Sequence, residues 1–167
     1  MYFALFCRTT LYDMTEIKYR EAIALDIPAM AQLRTGGWGY VEFWTPRVTA
    51  YLNGTSHPQH ALATRMLFIA NTVTHAAGFI AGHLTTRYGC DGELQWLDVA
   101  PDYRERGVAS SLLRLLAGWF TEQKALKVCV NVDPANIAAH AFYKKHGAEA
   151  LGEHWMVWND ISAVLKI

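Results

Sequence analysis

The sequence predicts a single-domain α/β (α+β) protein with a mixed central sheet of about seven strands flanked by about four helices. Three observations carry that reading. The chain has 167 residues, 52% apolar and 18% charged, which fits one globular domain with a sizeable core. The apolar runs "RMLFIANTV" and "AAGFIAGHLTT" are separated by a short polar turn, the mark of an antiparallel pair. From Glu93 to Val132 the pattern is strand, helix, strand, and a crossover of that length joins parallel neighbours.

Taken in order, residues 17–22 alternate well enough for a first strand. Asp26 as a cap and Pro28 in the first turn then open a short helix. "YVEFWTPRVTAYLNG" has helical character, is interrupted by Pro46 and ends at Asn53-Gly54. The hairpin strands 65–73 and 76–86 follow, then a strand over 92–100, "GELQWLDVA". Val108, Leu112, Leu115, Leu116, Trp119 and Phe120 make one helical stripe. "KVCVNV" is a strand, "NIAAHAFYKKHG" a helix stopped by Gly147, and "AEAL" and "HWMVWN" are closing strands. With helices between parallel strands, both faces of the sheet are covered.

Lys+Arg and Asp+Glu number 15 each, so the formal net charge is zero. A nucleic-acid footprint needs a basic excess or stripe, so the chain reads as a partner of something small. Cys7, Cys90 and Cys129 are far apart, with no C-x-x-C pair, which argues against a disulfide framework or a zinc site and suits a reducing cytoplasm. His57 and His60 in "SHPQH" read as a solvated loop rather than metal ligands. The first apolar patch is too short for a membrane span and lacks the layout of a signal peptide. Residues 1–13 are expected to be an extension outside the fold, with the domain covering 14–167.

The stretch "LDVAPDYRERGVASSLLRLL" carries the chemistry. A helix start presents unpaired backbone N–H groups and the positive end of the dipole. Led in by a glycine turn, those groups can wrap a phosphate. Gly107 permits close approach, Arg104 and Arg106 add permanent charge, and Ala109 keeps the next position small. Neither a P-loop nor a three-glycine dinucleotide fingerprint is present. Taken alone, "RERGVA" also fits an ordinary strand-to-helix turn with solvent-facing arginines.

Its flanks make it specific. "VAPDYRERGVASSLL" resembles the acetyl-CoA loop of the GNAT superfamily of N-acetyltransferases, [QR]-x-x-G-x-[GA], with Arg104, Gly107 and Ala109 in its fixed positions. "NIAAHAFYKKHGA" resembles that family's N-x-x-A-x-x-x-Y-x-x-x-G segment through Asn136, Ala139, Tyr143 and Gly147. Two departures stand out: Glu105 where the family often has glycine, and Ala148 where phenylalanine usually follows Gly147.

The resemblance implies a GNAT-like sheet whose parallel strands splay apart to admit the pantetheine arm of acetyl-CoA. It places Leu97 and Val99 on that arm, Arg104, Arg106, Gly107, Val108, Ala109 and Ser110 around the pyrophosphate, and Asn136 near the pantetheine. No metal is called for. A primary alkyl amine has a pKa near ~10, so at pH 7 only about one molecule in a thousand is the nucleophile. Stripping that proton costs roughly 4 kcal/mol, which a positioned base or water chain must help supply. The thioester oxygen needs an N–H donor, for which Val99 is the candidate, and the departing thiolate needs an acid. Tyr143 stands at the family's position for that acid, and a phenol donates while neutral at pH 7. Some family members carry a base glutamate where Glu93 stands. Strict alternation puts Glu93, Gln95, Leu97 and Val99 on one face and Asp98 on the other, although Glu93 also reads as a solvated strand end.

"GGWGYVEFW" falls where the family borders its acceptor pocket. Trp38, Tyr40, Phe43 and Trp44 are candidates for an apolar or aromatic-amine site, with Glu42 attracting the ammonium, against simple packing. Trp96, Trp119, Trp155 and Trp158 read as core, as does Cys129. The expected activity is acetyl-CoA-dependent N-acetyl transfer to a small-molecule primary amine in the cytoplasm. Peptide or protein acetylation and a non-catalytic acyl-CoA sensor are the alternatives. By family analogy, "HWMVW" is a candidate edge for a homodimer.

Overall fold

The computed structural model describes residues 16–167, so the expected extension over 1–13 lies outside the described residues. One seven-stranded sheet runs in the order β1-β2-β3-β4-β5-β7-β6. Its strands are β1 (Lys18–Glu21), β2 (Ala61–Asn71), β3 (Ala76–Thr85), β4 (Gly92–Val99), β5 (Val128–Asn131), β6 (Glu149–Gly152) and β7 (Trp155–Trp158). The helices are α1 (Ile27–Arg34), α2 (Val41–Leu52), α3 (Val108–Glu122) and α4 (Ile137–Lys145). Four 3-10 turns supplement them among the described residues. All neighbouring strands pair antiparallel except β4 and β5, which are parallel across the α3 crossover.

Helices cover both faces. Met30 of α1 and Val48 and Tyr51 of α2 pack on Leu67, Ile69, Phe79 and Ala81. On the opposite face α3 and α4 pack on Ile80, Leu94, Val128 and Val130. The α3 stripe is wider than a single row. Leu115 is exposed, whereas Leu113 and Ala117 are buried together with Ile161 and Val164 of the C-terminal turn Ile161–Lys166.

Local signals were overridden in three places. Pro46 does not interrupt α2, which runs through it. The proline denies a donor only to the Glu42 carbonyl, and the flanking carbonyls of Val41 and Phe43 each gain a side-chain donor, from Thr45 and Arg47. The Asp26 carboxylate does not cap α1; it accepts from Ile23 N–H at 2.8 Å and from the Arg20 guanidinium at 2.7 Å. These bonds hold it below the usual carboxylate range. The strand "HWMVW" is not an edge: β7 is hydrogen-bonded on both sides, between β5 and β6, and so has no free ladder for a second copy.

Helix and sheet are tightly packed at Gly92. A Cβ there would stand 2.4 Å from Phe120 Cε1, and Phe120 is almost fully buried. Gly92→Ala is expected to destabilise the fold by about 2–3 kcal/mol through overpacking. That corresponds to a loss of roughly 5–10 °C in Tm, readable by thermal denaturation.

Candidate active site

The site begins where two parallel strands stop pairing. β4 and β5 are in register only at Gly92/Val128, Glu93/Cys129 and Leu94/Val130. Beyond that point β5 turns toward β7, and Val132 N–H bonds the His154 carbonyl at 2.8 Å. β4 continues to Val99 paired with β3 but not with β5. Ala100 N–H donates to Ala77 of β3, so the amides of Leu97 and Val99, of the other parity, face the vacated β5 side. The Val99 carbonyl accepts from Arg104 Nε at 3.2 Å.

At the end of β4 the chain makes the turn Pro101–Tyr103 and enters α3 through Gly107, whose φ of 81° is left-handed. The first helical bond runs from Ser111 N–H to the Gly107 carbonyl, leaving Val108, Ala109 and Ser110 without intrahelical acceptors. These amides face a cleft of about 300 Å³ that is also bounded by Val99, Arg104, Phe142 and Lys145. Of the two arginines expected there, only Arg104 lines the cleft. Arg106 lies over the Tyr103 ring, 5.7 Å from its centroid, and the second cation in the wall is Lys145. Lys145 follows Phe142 by three residues on α4, a helical spacing that places both side chains on the same wall.

A larger cleft of about 730 Å³ crosses the parted strands, with Leu97 to Pro101, Arg104, Asn136 and part of α1 in its walls. Asn136 caps α4, accepting from Ala139 N–H at 3.0 Å, which leaves its amide hydrogens available to the cleft. Tyr143 lies behind this surface, buried and edge-on to Trp158. Burial, reinforced by the Asp98 charge, pushes its phenol well above the usual range and keeps it protonated at neutral pH.

The alternation expected along β4 fails at Gln95. Leu94 faces Gly82 and Trp96 faces Ala81, so Gln95 is an extra residue, a β-bulge. Glu93 therefore shares its face with Trp96 and Asp98, toward α1 and α2, whereas Leu97 and Val99 pack with Leu94 on the α3 side. Glu93 is neither solvated nor open to either cleft. Its carboxylate accepts from Arg87 Nε at 2.9 Å and lies 3.6 Å from His83 Nε2. His83 Nδ1 is 2.9 Å from the Tyr51 hydroxyl. Asp98 pairs with Arg34 of α1 at 2.8 Å; its carboxyl is nonetheless pushed up, because burial outweighs the ion pair.

On the α1/α2 face, beside the bulge, a third cleft of about 400 Å³ has Trp38, Phe43 and Trp44 in its walls together with Arg47, Tyr51, Gln95 and Trp96. Tyr40 and Glu42 are exposed and do not line it. Trp119 and Trp158 are core, but Trp96 is a cleft wall and Trp155 is only half-buried. Among the described residues no group of three or more His, Cys, Asp or Glu is placed to hold a metal ion. Nor is any helix among them long and apolar enough to cross a membrane.

The sequence model of the Acetyltransferase (GNAT) family matches residues 30–148, most of the chain. The protein belongs to the GNAT acetyltransferase family. It is therefore an acyltransferase. Solved GNAT-fold structures align over nearly all of the domain. PaiA N-acetyltransferase from Thermoplasma acidophilum, in complex with coenzyme A, has a TM-score of 0.67 at 19% identity, over 87% of this chain and 99% of its own. Ard1 from Thermoplasma volcanium gives 0.68 at 20%, over 85% and 95%. An aminoglycoside N-acetyltransferase in complex with CoA gives 0.67 at 20%, over 81% and 89%. No curated protein sequence matches the chain.

Against that family, Glu105 is the anomaly. Its φ of 60° is left-handed, where glycine sits without cost, and it stands in the wall of the cleft at the start of α3. Glu105→Gly removes both the strain and a negative charge beside the free amides. It is expected to tighten coenzyme A binding roughly 3- to 10-fold at low ionic strength and less at high salt, measured by calorimetry at two salt concentrations.

Proposed function

We propose that the protein is an acetyl-CoA-dependent N-acetyltransferase acting on the primary amine of a small molecule. The observation that carries this is the gap between β4 and β5, opening onto the unpaired amides after Gly107. The residues fit the cofactor. Val108, Ala109 and Ser110 offer backbone donors to a diphosphate, and Arg104 and Lys145 offer charge. A Cβ at Gly107 would meet nothing, so the surface outside it is open. Leu97 and Val99 present main-chain groups to the pantetheine amides, and Asn136 donates from the opposite wall. Arg106 adds its charge from the rim.

Acetyl-CoA, when bound, supplies a thioester: a C–N bond forms to the amine, the C–S bond breaks, and the sulfur needs a proton. The Val99 amide donates to the carbonyl oxygen as charge grows on it. Tyr143, held protonated by burial, supplies the proton to sulfur. Proton removal from the acceptor runs through the α1/α2 face. Tyr51 lines the aromatic cleft with its hydroxyl 2.9 Å from His83 Nδ1, and the other ring nitrogen of His83 lies 3.6 Å from Glu93; in this reading the hydroxyl donates to Nδ1. As the Tyr51 oxygen takes the amine proton it passes its own to Nδ1, and Glu93 stabilises the imidazolium that results. Glu93 is thus a positioning residue, itself fixed by Arg87.

A cleft of about 400 Å³ walled by aromatic rings is of the size that takes a small molecule, which supports that acceptor class. Acetyl transfer inside a reducing, cytoplasmic compartment also suits Cys90 and Cys129, which are buried as free thiols.

The deciding assay follows thiol release from acetyl-CoA across a panel of amines. Tyr143→Phe is expected to lower turnover roughly 100-fold while coenzyme A still binds; equal turnover removes Tyr143 from the acid role. Glu93→Gln is expected to lower kcat by about 10- to 100-fold, with the KM for acetyl-CoA unmoved.

A further inference from the structure

Resting on the transferase reading above, we infer that the aromatic cleft on the α1/α2 face selects an acceptor with a flat aromatic body, a primary amine and a carboxylate. Three features of its walls set that class.

The first is the rings. Trp38 and Trp44 are 5.0 Å apart between centroids, Phe43 and Trp44 5.1 Å, and Tyr51 and Trp96 4.9 Å. They form a continuous apolar lining that reaches from the half-open Trp38 down to the β4 bulge. Such a surface favours an offset-stacked or edge-on aromatic guest over an aliphatic one.

The second is the charge. Among the described residues, no Asp or Glu lines the cleft. Arg47 does, with its guanidinium 3.5 Å above the Phe43 ring. Its one hydrogen bond goes to the Phe43 carbonyl, and among the described residues it has no carboxylate partner. The neighbouring arginines are committed. Arg34 is paired to Asp98, and Arg65 donates to the carbonyls of Tyr51, Ser56 and Ala63. A guanidinium flattened on a ring at the mouth of an acid-free cleft presents its edge N–H groups to a planar anion. The same charge repels a polyamine or aminoglycoside-like polycation.

The third is Gln95. It lines the cleft at the point where β4 and β5 part, and its Oε1 is buried with no hydrogen-bond partner. An orphan acceptor is costly in the free protein, and it is satisfied when a ligand brings a donor. An amine N–H does so and is thereby held beside the strand gap, near Tyr51. The amine goes to the floor of the cleft and the carboxylate to its rim, with the ring system between.

The test measures kcat/KM by thiol release for L-tryptophan, L-phenylalanine, tryptamine, phenethylamine and spermidine, with calorimetric binding of coenzyme A alongside. The expected order has each amino acid at least about 10-fold above its decarboxylated partner, and spermidine last. Arg47→Gln is expected to collapse the tryptophan-to-tryptamine ratio to about one by a roughly 10- to 100-fold loss on tryptophan, and Arg47→Lys to restore part of it. Gln95→Met is expected to raise Tm, because it deletes the orphan oxygen, while lowering turnover of every amine; a purely structural Gln95 would not show that opposition. Preference for spermidine or for the decarboxylated amines, or a ratio untouched by Arg47→Gln, overturns this inference and leaves the transferase reading standing. Coenzyme A binding without turnover of any amine overturns both.

Discussion

One extra residue in a strand organises this molecule. Gln95 is a bulge in β4 and lies one position beyond the last β4–β5 pair. Because β-strand side chains alternate, inserting a residue reverses every side chain after it. The reversal sends Trp96 and Asp98 toward α1 and α2, and Leu97 and Val99 toward α3. The same kink ends the parallel ladder and leaves β4 amides without a partner strand. A regular strand would continue the ladder and close the gap between β4 and β5. The cleft at the free amides of α3 and the aromatic cleft therefore lie on opposite faces of the sheet, divided at one residue.

Charge is distributed to match this division. At the start of α3, Arg104 and Lys145 stand beside free amides. At the junction, Asp98 is neutralised by Arg34, whose guanidinium also lies 4.3 Å from the centroid of the Trp44 ring. That pair ties α1 to the far end of β4, so the helix that borders the largest of these clefts is anchored by an ion pair with little solvent around it. On the α1/α2 face, Arg87, Glu93, His83 and Tyr51 form a buried polar chain running from the rim of the sheet to the wall of the aromatic cleft. Buried polar groups are tolerated when their partners are supplied, and here nearly every link has one. The exception is His83 Nε2, 3.6 Å from Glu93; in the neighbouring cleft wall, Gln95 Oε1 is likewise buried without a partner.

Much of the architecture was legible in the chain because it is encoded locally. Each expected strand and helix is present, since apolar periodicity, Gly54 and Gly147 as stops, and the polar turn at residues 72–75 act within a few residues. The turn at Gly107 was equally legible, because only glycine sits without cost at a φ of 81° and the "RERGVA" spacing places it directly before a helix. Where local rules misled, a nonlocal partner was the cause. Pro46 remained helical because side chains of α2 serve the carbonyls beside it, and Asp26 left its capping role for Arg20 of β1.

By itself, the sequence determined the order of elements, the glycine turn at the start of α3 and, through its two motif blocks, the family. Tertiary structure alone decided which face Glu93 occupies, that Lys145 rather than Arg106 lines the cleft at the start of α3, that "HWMVW" is an inner strand, and that the cation beside the tryptophans is Arg47 while Glu42 faces solvent. The reason is the same in each case. Composition and periodicity report how a segment relates to water, whereas a bulge, a strand order and the facing of two helices depend on which distant segment packs against it.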